Sequence, residues 1–355
     1  MPCPAIHSPI LNHWRRSLSV NKRLTIFLLL GLLFVAAFVA DIFTGNAAIP
    51  FREAWQALLG RFDDPIVLEI IRNYRLPKAI TAVIAGAALS LSGLLMQTLF
   101  RNPLAGPDVL GVSAGAGLGV ALLTMLSGTV VYPFLTALGS MAQVIAAVAG
   151  AAGVMLLILS VSARIKDSIT ILVLGMIFGY VASALVTILQ SFADPDSLKV
   201  FVTWTFGSLG GVTWQKMPLL LSLFLIGVLT CFFLVKALNS LLLGEHYASS
   251  GGLNIKRTRL CIIAIASLIT GAVTAFTGPI AFVGVVIPHF ARAFFGTVNH
   301  RTILPGTLLM GSILMLVCDI VSQIPIANRT LPINAVTALF GAPMIVWIVL
   351  KRKKL

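Results

Sequence analysis

The chain has 355 residues, of which 58% are hydrophobic and 10% charged, and its mean hydropathy is +1.02. Because a soluble domain carries about 25% charged residues, this composition excludes an ordinary soluble protein and indicates a membrane protein with several spans. The net charge of +14 does not indicate a nucleic-acid partner, since the basic residues lie between apolar segments, where they set membrane topology.

The apolar segments predict a single transmembrane domain over residues 24–350, between an N-terminal segment (1–23) and a basic tail (351–355). No small-residue cleavage site follows the first apolar run, so we expect it to be retained as a span. The eighth span is short and contains Pro279 and Pro288, which predicts a broken or re-entrant helix. The predicted spans are 24–41, 79–100, 109–127, 134–162, 168–192, 217–236, 259–277, 280–295, 303–323 and 333–350.

The distribution of basic residues predicts the orientation of these ten spans. With the N-terminus inside, the inner segments hold 17 of the 25 lysine and arginine residues, and the outer segments hold 8. The positive-inside rule therefore places both termini in the cytoplasm. The largest outer loop (41–78) has Phe51, Ala54, Trp55, Leu58 and Leu59 on one helical face, which predicts a short interfacial helix.

The sequence gives no basis for an enzymatic activity. It contains no phosphate-binding loop with a Gly-Lys step, no nucleophile motif and no cluster of metal ligands. Charges gather at the ends of spans, with Asp319 in the ninth span as the main exception. This carboxylate either pairs with Arg329 or a backbone donor, or couples transport to an ion gradient. A secondary carrier using Asp319, and a membrane scaffold or sensor subunit, are the alternatives to a transporter powered by a separate protein.

A series of motifs between Arg75 and Leu350 resembles one family of membrane proteins. The family is the permease subunit of the type II ABC importers for ferric siderophores, haem and cobalamin. The matching residues are Arg75-Leu76-Pro77-Lys78, Gly86, Ser92-Gly93, Gln97, the proline-bracketed block 101–117, Trp204, Gly207-Ser208-Leu209, Leu243-Gly244-Glu245, Ala248, Gly252-Leu253, Gly278 to Gly284, Pro288-His289, Ala291-Arg292, Asp319, Leu331-Pro332, Thr337-Ala338 and Gly341-Ala342-Pro343.

The resemblance implies an all-α membrane protein of about ten spans, with both termini inside and the type II importer permease fold. It implies a second permease copy (the same chain or a close paralogue), two ATPase subunits and an external binding protein as partners. ATP would be used by the ATPase subunits, with no cofactor in this chain. The expected cargo is a metal chelate, with a ferric siderophore or haem first and cobalamin next. The expected location is the cytoplasmic (inner) membrane of a bacterium.

The resemblance also assigns a coupling role to the inner loop 237–257. Residues Leu241 to Leu253 would form a short helix that docks in a groove of the ATPase. The implied contact residues are Leu243, Gly244, Glu245, Ala248 and Gly252. The alternative is an ordinary connection between two helices.

Two further sets of residues follow from the resemblance. The predicted translocation path between two permease copies includes Met96, Gln97 and Asn102, although the last two could equally be packing or capping groups. Arg75, Lys78 and Arg329 would meet acidic residues of the binding protein, whereas Arg75 and Lys78 could instead anchor the second span at the interface.

The chain departs from the family pattern near this docking region. Gln323 and Thr330 stand where relatives usually have arginine and glutamate. Arg329 adds a positive charge next to Thr330, which leaves its own docking role open.

Overall fold

The computed structural model describes residues 20–45, 47, 49–61, 64–125, 141–165, 167–324 and 330–352, with the backbone alone at positions 20, 347–349, 351 and 352. Across these residues the chain is helical and has no strand. In chain order the helices are α1 (Val20–Phe43), α2 (Phe51–Leu58), α3 (Pro65–Leu99), α4 (Val112–Met125), α5 (Met141–Ser162), α6 (Ser168–Phe192), α7 (Pro195–Thr205), α8 (Met217–Phe233), α9 (Val235–Leu243), α10 (Glu245–Ser250), α11 (Ile255–Thr277), α12 (Val283–Phe295), α13 (His300–Ser322) and α14 (Ile333–Arg352).

Each of the ten predicted spans contains an apolar helix, but not every one of these helices is long enough to cross a membrane by itself. Within the described residues, six helices (α1, α3, α5, α6, α11 and α13) are long and apolar enough to cross a membrane. The pair α8 and α9 meets the same criterion with a bend of 54° between its two parts. Three shorter apolar helices are α4, α12 and the part of α14 from Ile333 to Val346. The prediction of an all-helical, multi-span fold is confirmed.

The second span begins earlier than the sequence predicted. The uncharged window began at residue 79, but α3 begins at Pro65 and passes through a π-helical segment, Glu69–Arg75. The Asp64 side chain caps this start by accepting the Ile66 N–H at 2.9 Å, and Pro65 suits the first turn. The prediction from uncharged windows excluded this part of α3, because it contains basic residues that are nevertheless folded into the helix.

The neighbouring spans also differ in their bounds. Residues Pro107–Leu110 form a 3₁₀ turn that ends at Gly111, where φ is +70°, so α4 begins at Val112 rather than at 109. The predicted turn at 127–133 and the first part of the predicted fourth span lie outside the described residues.

The eighth span is short, as its prolines predicted. Residues 278–282 are not helical, and α12 follows from Val283 to Phe295 with Pro288 inside it. Phe282 has a φ of +70°, which is uncommon for a residue other than glycine. A helix of this length, about 20 Å, cannot cross a bilayer core of about 30 Å alone.

Helix α3 forms the core of the bundle, because almost every residue from Pro77 to Leu99 is buried. It packs against α11, α12 and α13. A Cβ atom at Gly93 would lie 1.7 Å from the Gly284 carbonyl oxygen, and one at Gly86 would lie 2.2 Å from the Gly311 oxygen. Only glycine permits these backbone approaches, which hold α12 and α13 against α3.

Other helices leave apolar side chains uncovered in the single chain. Leu32 on α1 is 69% exposed, and Phe192 on α6 is 88% exposed. In a bilayer such faces meet lipid or another subunit. The predicted helix in the outer loop is present as α2, where Phe51 and Trp55 stack at a centroid distance of 6.4 Å while Ala54 is buried.

Candidate functional site

The predicted coupling segment folds as two short helices that meet at Gly244. Helix α9 ends at Leu243, α10 begins at Glu245, and Gly244 between them has a φ of +121°. L side chains rarely adopt this backbone conformation, so a glycine is required at the junction. The segment therefore has a defined shape and is not an irregular loop.

The exposed side chains of this segment include large apolar groups on both helices, next to polar groups on α10. Leu243 is 66% exposed, and Tyr247 on α10 is 64% exposed. Ala248 is buried beneath them, and Gly252 has a φ of +83° with open space around its Cβ position. The sequence prediction did not include Tyr247, although an aromatic residue within a short polar stretch was a usable signal. Leu243 and Tyr247 present a small apolar surface suited to a protein groove.

Glu245 is tied to the rest of the bundle. Its Oε1 atom lies 3.1 Å from Nη2 of Arg259 on α11 and accepts a hydrogen bond from the Ser168 hydroxyl at the start of α6. Arg259 also donates to the carbonyl oxygen of Ile165 at 3.2 Å. Glu245 thus orients α10 against α6 and α11, and a direct contact with the ATPase stays a prediction.

The start of α6, beside Glu245, is capped by Asp167. Hydrogen bonds from the hydroxyl and the backbone N–H of Thr170 hold the pKa of the Asp167 carboxyl below its ordinary value. The ionised carboxylate satisfies N–H groups that have no partner within the helix.

The residues predicted to line the translocation path lie at the inner end of α3. Met96 has no exposed surface and faces the core of the single chain. Gln97 is also buried, donating to the Val285 carbonyl oxygen at 2.9 Å and accepting a hydrogen bond from Arg292. Asn102 accepts the N–H of Leu104 at 3.0 Å. In this conformation Gln97 and Asn102 act as packing and capping groups, Met96 is enclosed in the single chain, and a role of these residues in the path stays a prediction.

A buried charged cluster joins three helices at the outer end of α3. The Nζ atom of Lys78 lies 2.7 Å from Oδ2 of Asp319 on α13 and 3.8 Å from Oδ1 of Asp41 on α1. Gln323 Nε2 donates to both carboxylates, at 3.0 Å to Asp319 and 3.2 Å to Asp41. The exposed fractions of the Lys78 and Asp41 side chains are 5% and 0%. Gln323, which replaces the usual arginine, thus has a structural role here.

These contacts bear on the predicted docking residues. The Lys78 ammonium is committed to two carboxylates, so it is not available to an external partner in this conformation. Arg75 is buried too, and its guanidinium donates to the carbonyl oxygens of Ile42, Phe43 and Ala47. Arg329 lies outside the described residues. All the observed polar contacts of Arg75 and Lys78 lie within the chain. They therefore agree with the alternative that these two residues anchor the second span.

The cluster borders a cavity of about 500 Å³ that opens between α3, α13 and the loops after α7 and α13. Arg75, Lys78 and Asp319 contribute to its floor, and Thr330 lies at its edge. The sequence did not predict Asp41 as part of this site. The only indication of Asp41 in the sequence was its position at the end of the first apolar window.

Comparison with known proteins identifies the family of this chain. A model of the FecCD transport family matches residues 32–351. The chain belongs to the FecCD transport family. This result confirms the resemblance that the motifs indicated, and the FecCD proteins are the transmembrane permease components of ABC importers, which are not themselves catalytic.

Two relatives and one solved structure show how far the similarity of this FecCD protein extends. It is 37% identical over 277 residues to the vitamin B12 import system permease protein BtuC of Salmonella paratyphi A, covering 78% of this chain and 82% of that protein. It is 31% identical over 339 residues to the hemin transport system permease protein HmuU of Yersinia pestis, covering 94% and 99%. A metal-chelate type ABC transporter in an inward-facing conformation matches with a TM-score of 0.80 and 29% identity over 92% of this chain and 99% of that one.

The described part of this FecCD chain contains no group of three or more histidine, cysteine, aspartate or glutamate side chains that could hold a metal ion. The chain is a multi-pass membrane permease of an ABC importer.

Proposed function

We propose that two copies of this permease form the pathway of an ATP-driven importer for a metal chelate in the bacterial inner membrane. An external binding protein delivers the chelate, and two ATPase subunits drive alternating access. The observation that carries this proposal is the pair α9 and α10, which presents Leu243 and Tyr247 beside an obligatory glycine. Such a rigid, exposed apolar projection suits a groove on a partner protein.

The class of chelate is supported by the relatives. One is a vitamin B12 importer and another a hemin transporter, and both ligands are large metal-containing macrocycles. Haem and cobalamin are therefore the first cargoes to test, with ferric siderophores as the third class.

Reconstitution with the ATPase tests this function. The permease and its candidate ATPase are placed in liposomes, loaded binding proteins are added outside, and ATP hydrolysis and uptake are measured together. We expect one loaded binding protein to stimulate both. Uptake that needs no ATPase and stops with an uncoupler would instead indicate the ion-driven carrier, for which Asp319 is the candidate. The 2.7 Å ion pair between Asp319 and Lys78 favours a structural role for this carboxylate.

The coupling segment is tested with a pair of glycine variants. Gly244→Leu places a side chain where φ is +121°, so we expect uptake to fall at least tenfold. Gly251→Ala is the matched control, because Gly251 has a φ of −79° and its Cβ would meet Ala248 O at an ordinary 3.5 Å. Normal uptake by Gly244→Leu would remove the coupling role from this segment.

A further inference from the structure

The inner end of α3 meets the coupling segment through Arg101. Arg101 lies just after the helix with a φ of +48°, and within the described residues Phe282 is the only other non-glycine residue with a positive φ. This conformation is disfavoured for a residue with a Cβ atom, so neighbouring contacts must hold it.

The contact that Arg101 makes is with the end of α9. Its Nη2 atom donates to the carbonyl oxygen of Leu241 at 3.0 Å. The Leu241 oxygen also accepts the Gly244 N–H at 3.2 Å, and a positive charge near this end of the helix is favourable. A Cβ on Gly244 would lie 3.2 Å from the same Nη2 atom, so the glycine also leaves space for the guanidinium.

A second connection between α9 and α3 runs through His300. The Asn239 Oδ1 atom on α9 accepts the backbone N–H of His300 at 2.9 Å and lies 2.9 Å from its Nδ1 atom. Because this amide oxygen can only accept, Nδ1 carries the proton. The Nε2 atom lies 2.9 Å from the Thr98 hydroxyl on α3, and His300 is only 1% exposed.

The same turn of α3 also contacts α12, through the hydrogen bonds of Gln97 to Arg292 and to the Val285 carbonyl oxygen. Gln97, Thr98 and Arg101 therefore connect the end of α3 to α12, α13 and α9 within five consecutive positions. This junction is where α9 is hydrogen-bonded to the core of the bundle.

We propose that Arg101, supported by the Thr98–His300–Asn239 chain, is a positioning residue that transmits movement of the coupling segment to α3. The proposal rests on the function proposed above, because it requires that α9 and α10 contact the ATPase. Arg101 touches no cargo in this role. It fixes the geometry through which ATP binding moves the transmembrane helices.

The coupling ratio, meaning cargo taken up per ATP hydrolysed, tests the role of Arg101. It is measured in liposomes that hold the complete complex. For Arg101→Met we expect hydrolysis within about twofold of wild type but a coupling ratio at least fivefold lower. Arg101→Lys, which keeps a cationic donor, should recover at least half of the ratio. Arg301→Met is the matched control, since Arg301 is an exposed arginine near the start of α13 whose side chain makes no hydrogen bond or ion pair within the described residues.

The outcomes separate this proposal from the one on which it rests. If wild type shows no ATP-dependent uptake, the proposed function fails. If wild type is coupled and Arg101→Met keeps the wild-type ratio, only the role of Arg101 is overturned. If Arg101→Met does not assemble with the ATPase, the coupling ratio of Thr98→Val is measured instead, because valine fills the same space without the hydroxyl. A wild-type coupling ratio in Thr98→Val then overturns the proposal. If neither variant assembles with the ATPase, these contacts serve assembly alone, which also overturns it.

Discussion

Replacing Lys78 by methionine distinguishes a structural role of the outer charged cluster from a docking role. The Lys78 ammonium lies 2.7 Å from Asp319 and 3.8 Å from Asp41, and these three side chains are at most 6% exposed. Methionine fills much of the same space but leaves the two carboxylates without their cation. If the cluster holds α1, α3 and α13 together, the variant loses stability.

The size of the effect follows from these distances. With an effective dielectric constant of about 20, the attraction between the Lys78 ammonium and Asp319 at 2.7 Å is about 6 kcal/mol. Desolvation of the ammonium offsets several kcal/mol of this, and removing one member of a buried ion pair typically costs about 3–5 kcal/mol. At roughly 2 °C per kcal/mol for a large chain, the melting temperature should fall by about 6–10 °C.

Thermal unfolding of the purified permease in detergent measures this effect. Lys78→Met and Asp319→Asn should each lower the melting temperature, and the double variant should regain at least half of the loss because it removes both charges of the closest pair. Lys199→Met is the matched control, since Lys199 is exposed on the same side of the bundle. A Lys78→Met variant that melts like wild type but binds the loaded binding protein more weakly would refute the structural role and favour docking.

Two further predictions concern helix packing and a helix cap. Gly93→Ala should lower the melting temperature by several degrees more than Gly153→Ala. A Cβ at residue 93 would lie 1.7 Å from the Gly284 oxygen, whereas the space around Gly153 is open. Equal melting temperatures of the two variants would contradict this contact. Because the pKa of Asp167 is lowered in the folded protein, its stabilisation is complete above the ordinary value of 3.8 and is lost as pH falls through the lowered value. The protection factors of the amides at the start of α6, which correct the exchange rates for their intrinsic pH dependence, should therefore fall in wild type as the pH drops below about 4 and fall less in Asp167→Asn; the same fall in both would show that this cap is not the titrating group.

The all-helical, multi-span character could be predicted because long uncharged windows recur along the chain, and a bilayer sets the length of such a window. The start of α3 could not be predicted in this way. Arg75 and Lys78 interrupt the apolar window, yet both are folded into the bundle because carbonyl oxygens and carboxylates from distant segments satisfy them. The packing of the helices determines which of them supply these partners. A sequence pattern along one helix does not contain this information.

The helix junction at Gly244 was predictable in position, and the side chains exposed around it were not. The motif around Gly244 placed the junction, and the positive φ gives the physical reason for that glycine. Tyr247 and Asn239 lie on helices too short to show a periodic pattern. His300 is a single histidine whose role arises only from the meeting of α3, α9 and α13.

The contacts of α3 indicate which parts of the permease can move against one another. Its backbone touches α12 at Gly93 and α13 at Gly86, so these helices cannot slide past each other without opening gaps in the core. The charged cluster fixes the outer end of α3, and the junction at Arg101 fixes its inner end. In the mechanism that we propose, a movement that enters through α9 displaces α3, α12 and α13 together. Alternating access would then use faces that a single chain leaves uncovered, such as that of α6, where Tyr180 is 74% exposed.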